Sequence, residues 1–230
     1  MRDALPPAVF EELRAAVLDT RRLNLELGVS EDDHTSSHSA VTFGQATPYQ
    51  DNAVVAAVPT NPRILPKVVA LMGTNIYAYH MHLNVTPSPP PGVTAPDGGL
   101  TALGFHQDSG LQADCEYRPA PRFSLKVGYY LSDVSTPLRG NTWIVPGSHL
   151  STEPLAVQDD GLPKGAMPVC CPSNSALIFD RRLYHTGSPN FAAEPRVAGF
   201  VGYAYRWLRP KEPMYVERAM EQATCPLLRQ

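Results

Sequence analysis

The chain has 230 residues, a formal net charge of −3 and a hydrophobic fraction of 43%, which fits one domain over 1–230 with a sizeable core. So small a charge leaves no electrostatic footprint for nucleic acid, and no apolar run approaches the ~20 residues of a membrane span. The opening MRDALPPAVFEEL lacks the apolar core of a secretory signal. Four cysteines without Cys-x-x-Cys spacing (Cys115, Cys170, Cys171, Cys225) read as reduced thiols of a cytoplasmic protein. With 24 prolines and 16 glycines, many short strands are expected rather than a helix bundle.

In chain order, Pro6 to about Leu27 reads as a helix. The prolines suit its first turn, Phe10, Leu13 and Val17 share a face, and Gly28 stands at its end. Ser30 to Gln50 is polar; His34 and His38 have the spacing of a helical metal pair, but their Ser, Thr and Asp neighbours favour a loop. Asn61 to Met72 reads as a second helix, with Asn61 as N-cap, Pro62 in the first turn and Gly73 past the end. Together these form a helical part, about 1–73.

Asn75 to Val85 alternates as a strand. Ile76, Ala78, His80, His82 and Asn84 fall on one face; Tyr77, Tyr79, Met81, Leu83 and Val85 fall on the other. Thr86 to Gly99 is a proline- and glycine-rich loop, either a connector or a lid. It leads into Gly104–Gly110, GFHQDSG. On an extended backbone His106 and Asp108 point the same way, so an imidazole and a carboxylate can reach one metal ion. Phe123–Ser132 reads as a strand with Leu125, Val127, Tyr129 and Leu131 on one face. Gly140 to Gly147 reads as turn, strand and turn, followed by His149; Leu150 to Val169 reads as an irregular insertion. Ser175 to Asp180 is a buried-type strand leading to His185. Val197 to Trp207 closes the sheet, with Arg196 at its start, and Lys211 to Gln230 is a tail.

Two histidines and one carboxylate make the facial triad of non-haem iron oxygenases. A lone His-x-Asp match is weak evidence; order and spacing strengthen it. Gly140 to His149 carries a Pro-Gly-Ser-His turn, His185 follows, Asn190 lies in a Gly-Ser-Pro-Asn turn, and Arg196 stands eleven residues after His185. From about Leu65 to Trp207 the sequence resembles the phytanoyl-CoA dioxygenase family of Fe(II)/2-oxoglutarate oxygenases.

That resemblance implies a mainly β fold with flanking helices, a double-stranded β-helix (jelly-roll, cupin-like) barrel over about 74–208. It implies Fe(II) on His106, Asp108 and His185, with 2-oxoglutarate and O2 at the remaining positions and Arg196 on the far carboxylate of 2-oxoglutarate. Asn84 and Tyr129 are implied beside the cosubstrate. It places His149 in a structural turn. The reaction implied is oxidative decarboxylation of 2-oxoglutarate coupled to attack on an unactivated C–H of a small molecule, such as a natural-product intermediate. Halogenases of the superfamily replace the carboxylate with Ala or Gly, so Asp108 implies hydroxylation rather than chlorination.

Two departures stand out. Relatives often carry Ser two residues after the distal His, where this chain has Gly187, leaving Thr186 or Ser188 to substitute; and the lysine that many relatives carry after the Asn84 position is missing from NVTPS. Two other readings stay open: a cupin-like metalloenzyme using His80 and His82 with His106 and no 2-oxoglutarate, and a non-catalytic barrel that only binds. A cytoplasmic monomer or homodimer is expected, with no nucleic-acid or membrane partner.

Overall fold

The computed structural model describes residues 1–29, 34–35, 40–41, 54, 57–97, 100, 103–108 and 119–209. His38 and the tail from Lys211 lie outside them. Helix α1 (Pro7–Glu26) follows Pro6 and ends before Gly28, at φ +77. Helix α2 (Leu65–Met72) starts later than the sequence suggests. Asn61 still caps the entry: its Oδ1 accepts from Arg63 N at 2.9 Å and its carbonyl from Leu65 N at 2.9 Å, while its Nδ2 donates to Ala4 O at 2.8 Å. The chain turns before Leu65, and only then does the apolar face of Val68 and Met72 become helical.

The strands are β1 (Ala40–Val41), β2 (Ile76–Thr86), β3 (Ser124–Tyr130), β4 (Thr142–Ile144), β5 (Met167–Pro168), β6 (Ser175–Asp180), β7 (His185–Gly187) and β8 (Arg196–Tyr205). They form a five-stranded sheet, β1-β2-β8-β3-β6, and a three-stranded sheet, β5-β4-β7. All pairings are antiparallel, a double sheet of the jelly-roll type. The strand expected to close the sheet, β8, sits at its centre between β2 and β3.

The two faces of the large sheet differ. Met81, Leu83, Val85, Leu125, Val127, Tyr129, Val197, Val201 and Tyr203 pack against Leu13 and Val17 of α1 and Val68 and Met72 of α2. The opposite face turns inward. Register places it in rows: His80, Gly202, Lys126 and Phe179; then His82, Phe200, Gly128 and Leu177; then Asn84, Ala198, Tyr130 and Ser175; finally Thr86 and Arg196. Apolar packing on the helix side leaves polar side chains for the interior.

A register shift between Ala78 and His80 corrects the simple alternation of β2. The extra residue moves Ile76 and Ala78 to the helix-packed face, with Met81 and Leu83. His80, His82 and Asn84 remain on the interior face. Among the described residues, no helix is long and apolar enough to cross a membrane.

Candidate metal centre

His106 and His185 form an isolated antiparallel bridge, each backbone N–H donating to the other's carbonyl at 3.0 Å. The bridge lays the His106 segment beside β7, and the imidazole centroids stand 4.6 Å apart. Asp108 is fixed two residues on, where its N–H donates to Arg181 O at 2.9 Å. The Asp180–Leu183 turn delivers Arg181 and then His185. Asp180 holds it by accepting from Arg182 N at 3.0 Å and from the Arg182 guanidinium at 2.6 and 2.9 Å, while Leu183 N donates to Asp180 O at 2.9 Å.

His106, Asp108 and His185 present ligand atoms that all lie within 4.8 Å of one another, and theirs is the one such group among the described residues. His185 Nδ1 lies 2.8 Å from Leu183 O, and His106 Nδ1 lies 3.2 Å from Gly104 O. A carbonyl only accepts, so each Nδ1 carries the proton and each Nε2 keeps its lone pair for a metal. Both Nε2 atoms face the carboxylate, His106 Nε2 at 3.8 Å from Oδ1 and His185 Nε2 at 3.5 Å from Oδ2. Burial alone would raise the Asp108 carboxyl. The Lys126 ammonium, donating to Oδ2 at 2.6 Å, opposes burial, and Asp108 is held well below the usual carboxylate range.

Histidines 80 and 82 do not join this group. They bond each other, Nδ1 of His82 to Nε2 of His80 at 2.7 Å, and His82 stacks on Phe200 with centroids 4.9 Å apart. His149 sits in the short 3-10 turn Ser148–Leu150, outside the group.

At the other end of the same interior face, Arg196 is 5% exposed and its Nε has no hydrogen-bond partner among the described residues. Its guanidinium reaches back over Phe200, 5.5 Å from the ring centroid, and Lys126 Nζ lies 5.2 Å from that centroid. Both cations thus approach one ring, that of Phe200. Burial lowers the Arg196 pKa, against the opposing influence of Tyr130. Among the described residues, the other buried polar atoms without a hydrogen-bond partner include Asn84 Oδ1, Tyr130 OH and Ser175 Oγ. All three belong to the row beside Arg196.

Tyr129 is corrected. It packs in the helix-side core and its hydroxyl donates to Val58 O at 3.4 Å. Tyr130 faces the interior; burial pushes its pKa up to about 12, although Thr142 and the Arg196 charge pull it down. Thr186 pairs with Trp143, on the strand face opposite His185, and its Oγ1 donates to Gly187 O at 3.2 Å. Ser188 lies past β7, its Oγ 3.4 Å from Pro189 O. The side chain beside Gly187 on the His185 face is Thr142. Asn190 braces the turn before β8, donating to Thr86 O, Pro87 O and Glu194 O at 3.3, 3.1 and 2.9 Å. The start of the Thr86–Gly99 loop is thus tied down, and Ser88 Oγ adds a bond to Ala193 O at 2.8 Å.

Sequence reasoning missed Lys126, Arg181, Tyr130, Thr142 and Ser175. For Lys126 and Tyr130 the signal was present, since placing Leu125, Val127 and Tyr129 on one face puts them on the other. Nothing in the Arg181-Arg182 doublet says which arginine turns inward.

The profile of the phytanoyl-CoA dioxygenase (PhyH) family matches residues 1–198. No curated protein sequence matches the chain. Among solved structures, HygX from Streptomyces hygroscopicus with nickel and 2-oxoglutarate bound is 17% identical, with a TM-score of 0.63 over 91% of this chain and 83% of that one. The ThoJ–Ni complex, described as a non-heme monooxygenase, is 18% identical with a TM-score of 0.60, over 90% of this chain and 73% of that one. The epimerase SnoN, in complex with Fe3+, alpha ketoglutarate and nogalamycin RO, is 18% identical with a TM-score of 0.58, over 88% and 77%. These likenesses are of fold.

Proposed function

The chain belongs to the phytanoyl-CoA dioxygenase family, and from that premise we propose that it is an Fe(II)- and 2-oxoglutarate-dependent oxygenase that hydroxylates a small molecule. What supports this reading is a group of two imidazoles and a carboxylate together with a buried guanidinium whose Nε has no hydrogen-bond partner among the described residues, the two linked through Phe200, whose ring centroid lies 5.5 Å from the Arg196 guanidinium and 5.2 Å from Lys126 Nζ.

His106, Asp108 and His185 would hold Fe(II) through two lone-pair Nε2 atoms and a carboxylate, a donor set that suits non-haem iron and leaves adjacent positions open. Arg196 would take the far carboxylate of 2-oxoglutarate in a bidentate pair. Tyr130 and Ser175 offer hydroxyl donors beside it, with Thr142 next to Tyr130 and Asn84 across the row. Bound there, the Fe(II) and 2-oxoglutarate pair supplies the O2 activation that attacks a substrate C–H. The protein's part is to orient the cosubstrate between Arg196 and the metal ligands and to limit water around them.

Asp108 keeps the third protein position filled, so oxygenated rather than chlorinated product is expected even in chloride. A small-molecule substrate agrees with HygX, solved with hygromycin B bound, and SnoN, solved with nogalamycin RO. The test is release of succinate and CO2 from 2-oxoglutarate by the Fe(II)-loaded protein under air. Turnover that R196A and H106A both abolish supports the reading; turnover indifferent to R196A contradicts it.

A further inference from the structure

Lys126 lies in the middle of β3, between Gly202 of β8 and Phe179 of β6, and is 7% exposed. A buried ammonium without a partner is expensive. Lys126 Nζ donates to Asp108 Oδ2 at 2.6 Å. A second buried cation meets the same oxygen, Arg181 Nε at 3.4 Å, its guanidinium 5.0 Å from the Tyr79 ring centroid. The two carboxylate oxygens are thus unequal. Oδ2 accepts from Lys126 Nζ, with Arg181 Nε at 3.4 Å and His185 Nε2 at 3.5 Å from it, while Oδ1 faces His106 Nε2 at 3.8 Å and neither cation.

We propose that Lys126 is a positioning residue that holds Asp108 Oδ2, so that the carboxylate offers only Oδ1 to the metal. The inference rests on the assignment of His106, Asp108 and His185 as metal ligands. Three protein donor atoms leave three positions of a six-coordinate ion open; a carboxylate binding through both oxygens would take a fourth. An ammonium beside the site also repels a divalent ion. Lys126 therefore gives up metal affinity and keeps room for the two oxygens of a 2-oxoacid.

This predicts opposite signs for two affinities in one variant, which a merely structural role would not produce. The protein is titrated with Co(II), read by visible absorption, and the Co(II)-loaded protein is then titrated with 2-oxoglutarate. K126M, which keeps the length of the side chain and removes its charge, is expected to bind Co(II) about tenfold more tightly. It should bind 2-oxoglutarate about tenfold more weakly, with one coordination position lost to the carboxylate. Loss of both affinities together, or 2-oxoglutarate binding like wild type, would overturn the proposal.

Should K126M not fold, wild type labelled with 13C-Asp decides by infrared difference on adding Zn(II). A wide separation of antisymmetric and symmetric carboxylate stretches marks binding through one oxygen and supports the role; a narrow one marks both oxygens and overturns it. Wild type that binds no Co(II) would instead remove the metal assignment, and the proposal with it.

Discussion

His106 and His185 exchange both backbone hydrogen bonds at 3.0 Å, although they lie far apart in sequence. The pairing sets the two imidazoles side by side before any metal binds. Each Nδ1 is engaged by a carbonyl of its own segment, Gly104 O for His106 and Leu183 O for His185, so the tautomers are set locally and the site is preorganised.

Arg196 should show opposite effects on affinity and stability. R196K keeps the charge but loses the planar fork, and is expected to weaken 2-oxoglutarate binding on the order of tenfold or more. R196M should abolish it. Without cosubstrate, R196M is expected to be as thermally stable as wild type or more so, since it removes a buried cation whose Nε has no hydrogen-bond partner among the described residues. Calorimetry with and without 2-oxoglutarate checks both signs.

The adjacent tyrosines should separate cleanly. Y130F removes a hydroxyl from the row beside Arg196 and is expected to weaken 2-oxoglutarate binding by roughly 10- to 100-fold, the effect of one hydrogen bond to a charged group at about 1.5–3 kcal/mol. Y129F removes a hydroxyl whose bond, at 3.4 Å to Val58 O, is weak. It should leave 2-oxoglutarate affinity unchanged and cost about 1 kcal/mol of stability at most. Binding isotherms and denaturant unfolding distinguish the two.

Gly140 supports Arg196 by having no side chain. Its φ is +68, and a Cβ there would stand 3.0 Å from Arg196 Cβ and 3.1 Å from its Cγ. G140A is expected to cost about 1–2 kcal/mol for the left-handed backbone alone. It should also displace Arg196 and raise the KM for 2-oxoglutarate, so unfolding and steady-state kinetics should change together.

Asp180 gives a pH dependence. Burial raises its carboxyl, but hydrogen bonds from Arg182 and the charges of Arg182 and Arg122 outweigh burial and lower it. A lowered folded value means the contribution is complete above the unfolded pKa, ~3.9, and is lost as pH falls through the lower folded value. The Tm of wild type should therefore fall more steeply below about pH 4 than that of D180N, and the two curves should be parallel near neutrality.

Much of the architecture was legible in the chain. Alternation in FSLKVGYYLS separates the core face from the interior face, and the His106-x-Asp108 spacing with His185 marks three residues whose ligand atoms lie within 4.8 Å of one another. Three things were not legible. The bulge at Tyr79 reverses the face of Ile76 and Ala78, and no local residue signals it. Asn61 caps the turn into α2 through Oδ1, as its place suggests, but the second bond of its side chain, Nδ2 to Ala4 O, is a contact distant in sequence that nothing local signals. Tyr129 and Tyr130 are equally aromatic neighbours, and only pairing with β8 and β6 decides which one faces Arg196. The His34 and His38 pair was not tested, since His38 lies outside the described residues.

The central claim, iron at His106, Asp108 and His185 with 2-oxoglutarate reaching Arg196, is tested most directly without oxygen. Fe(II) and 2-oxoglutarate are added anaerobically to the apo-protein, and the visible charge-transfer band of the iron–oxoacid chelate is sought. The account predicts a band in wild type that is lost in H106A and in R196A. Bound iron with no band in wild type would contradict it and turn attention to His80 and His82.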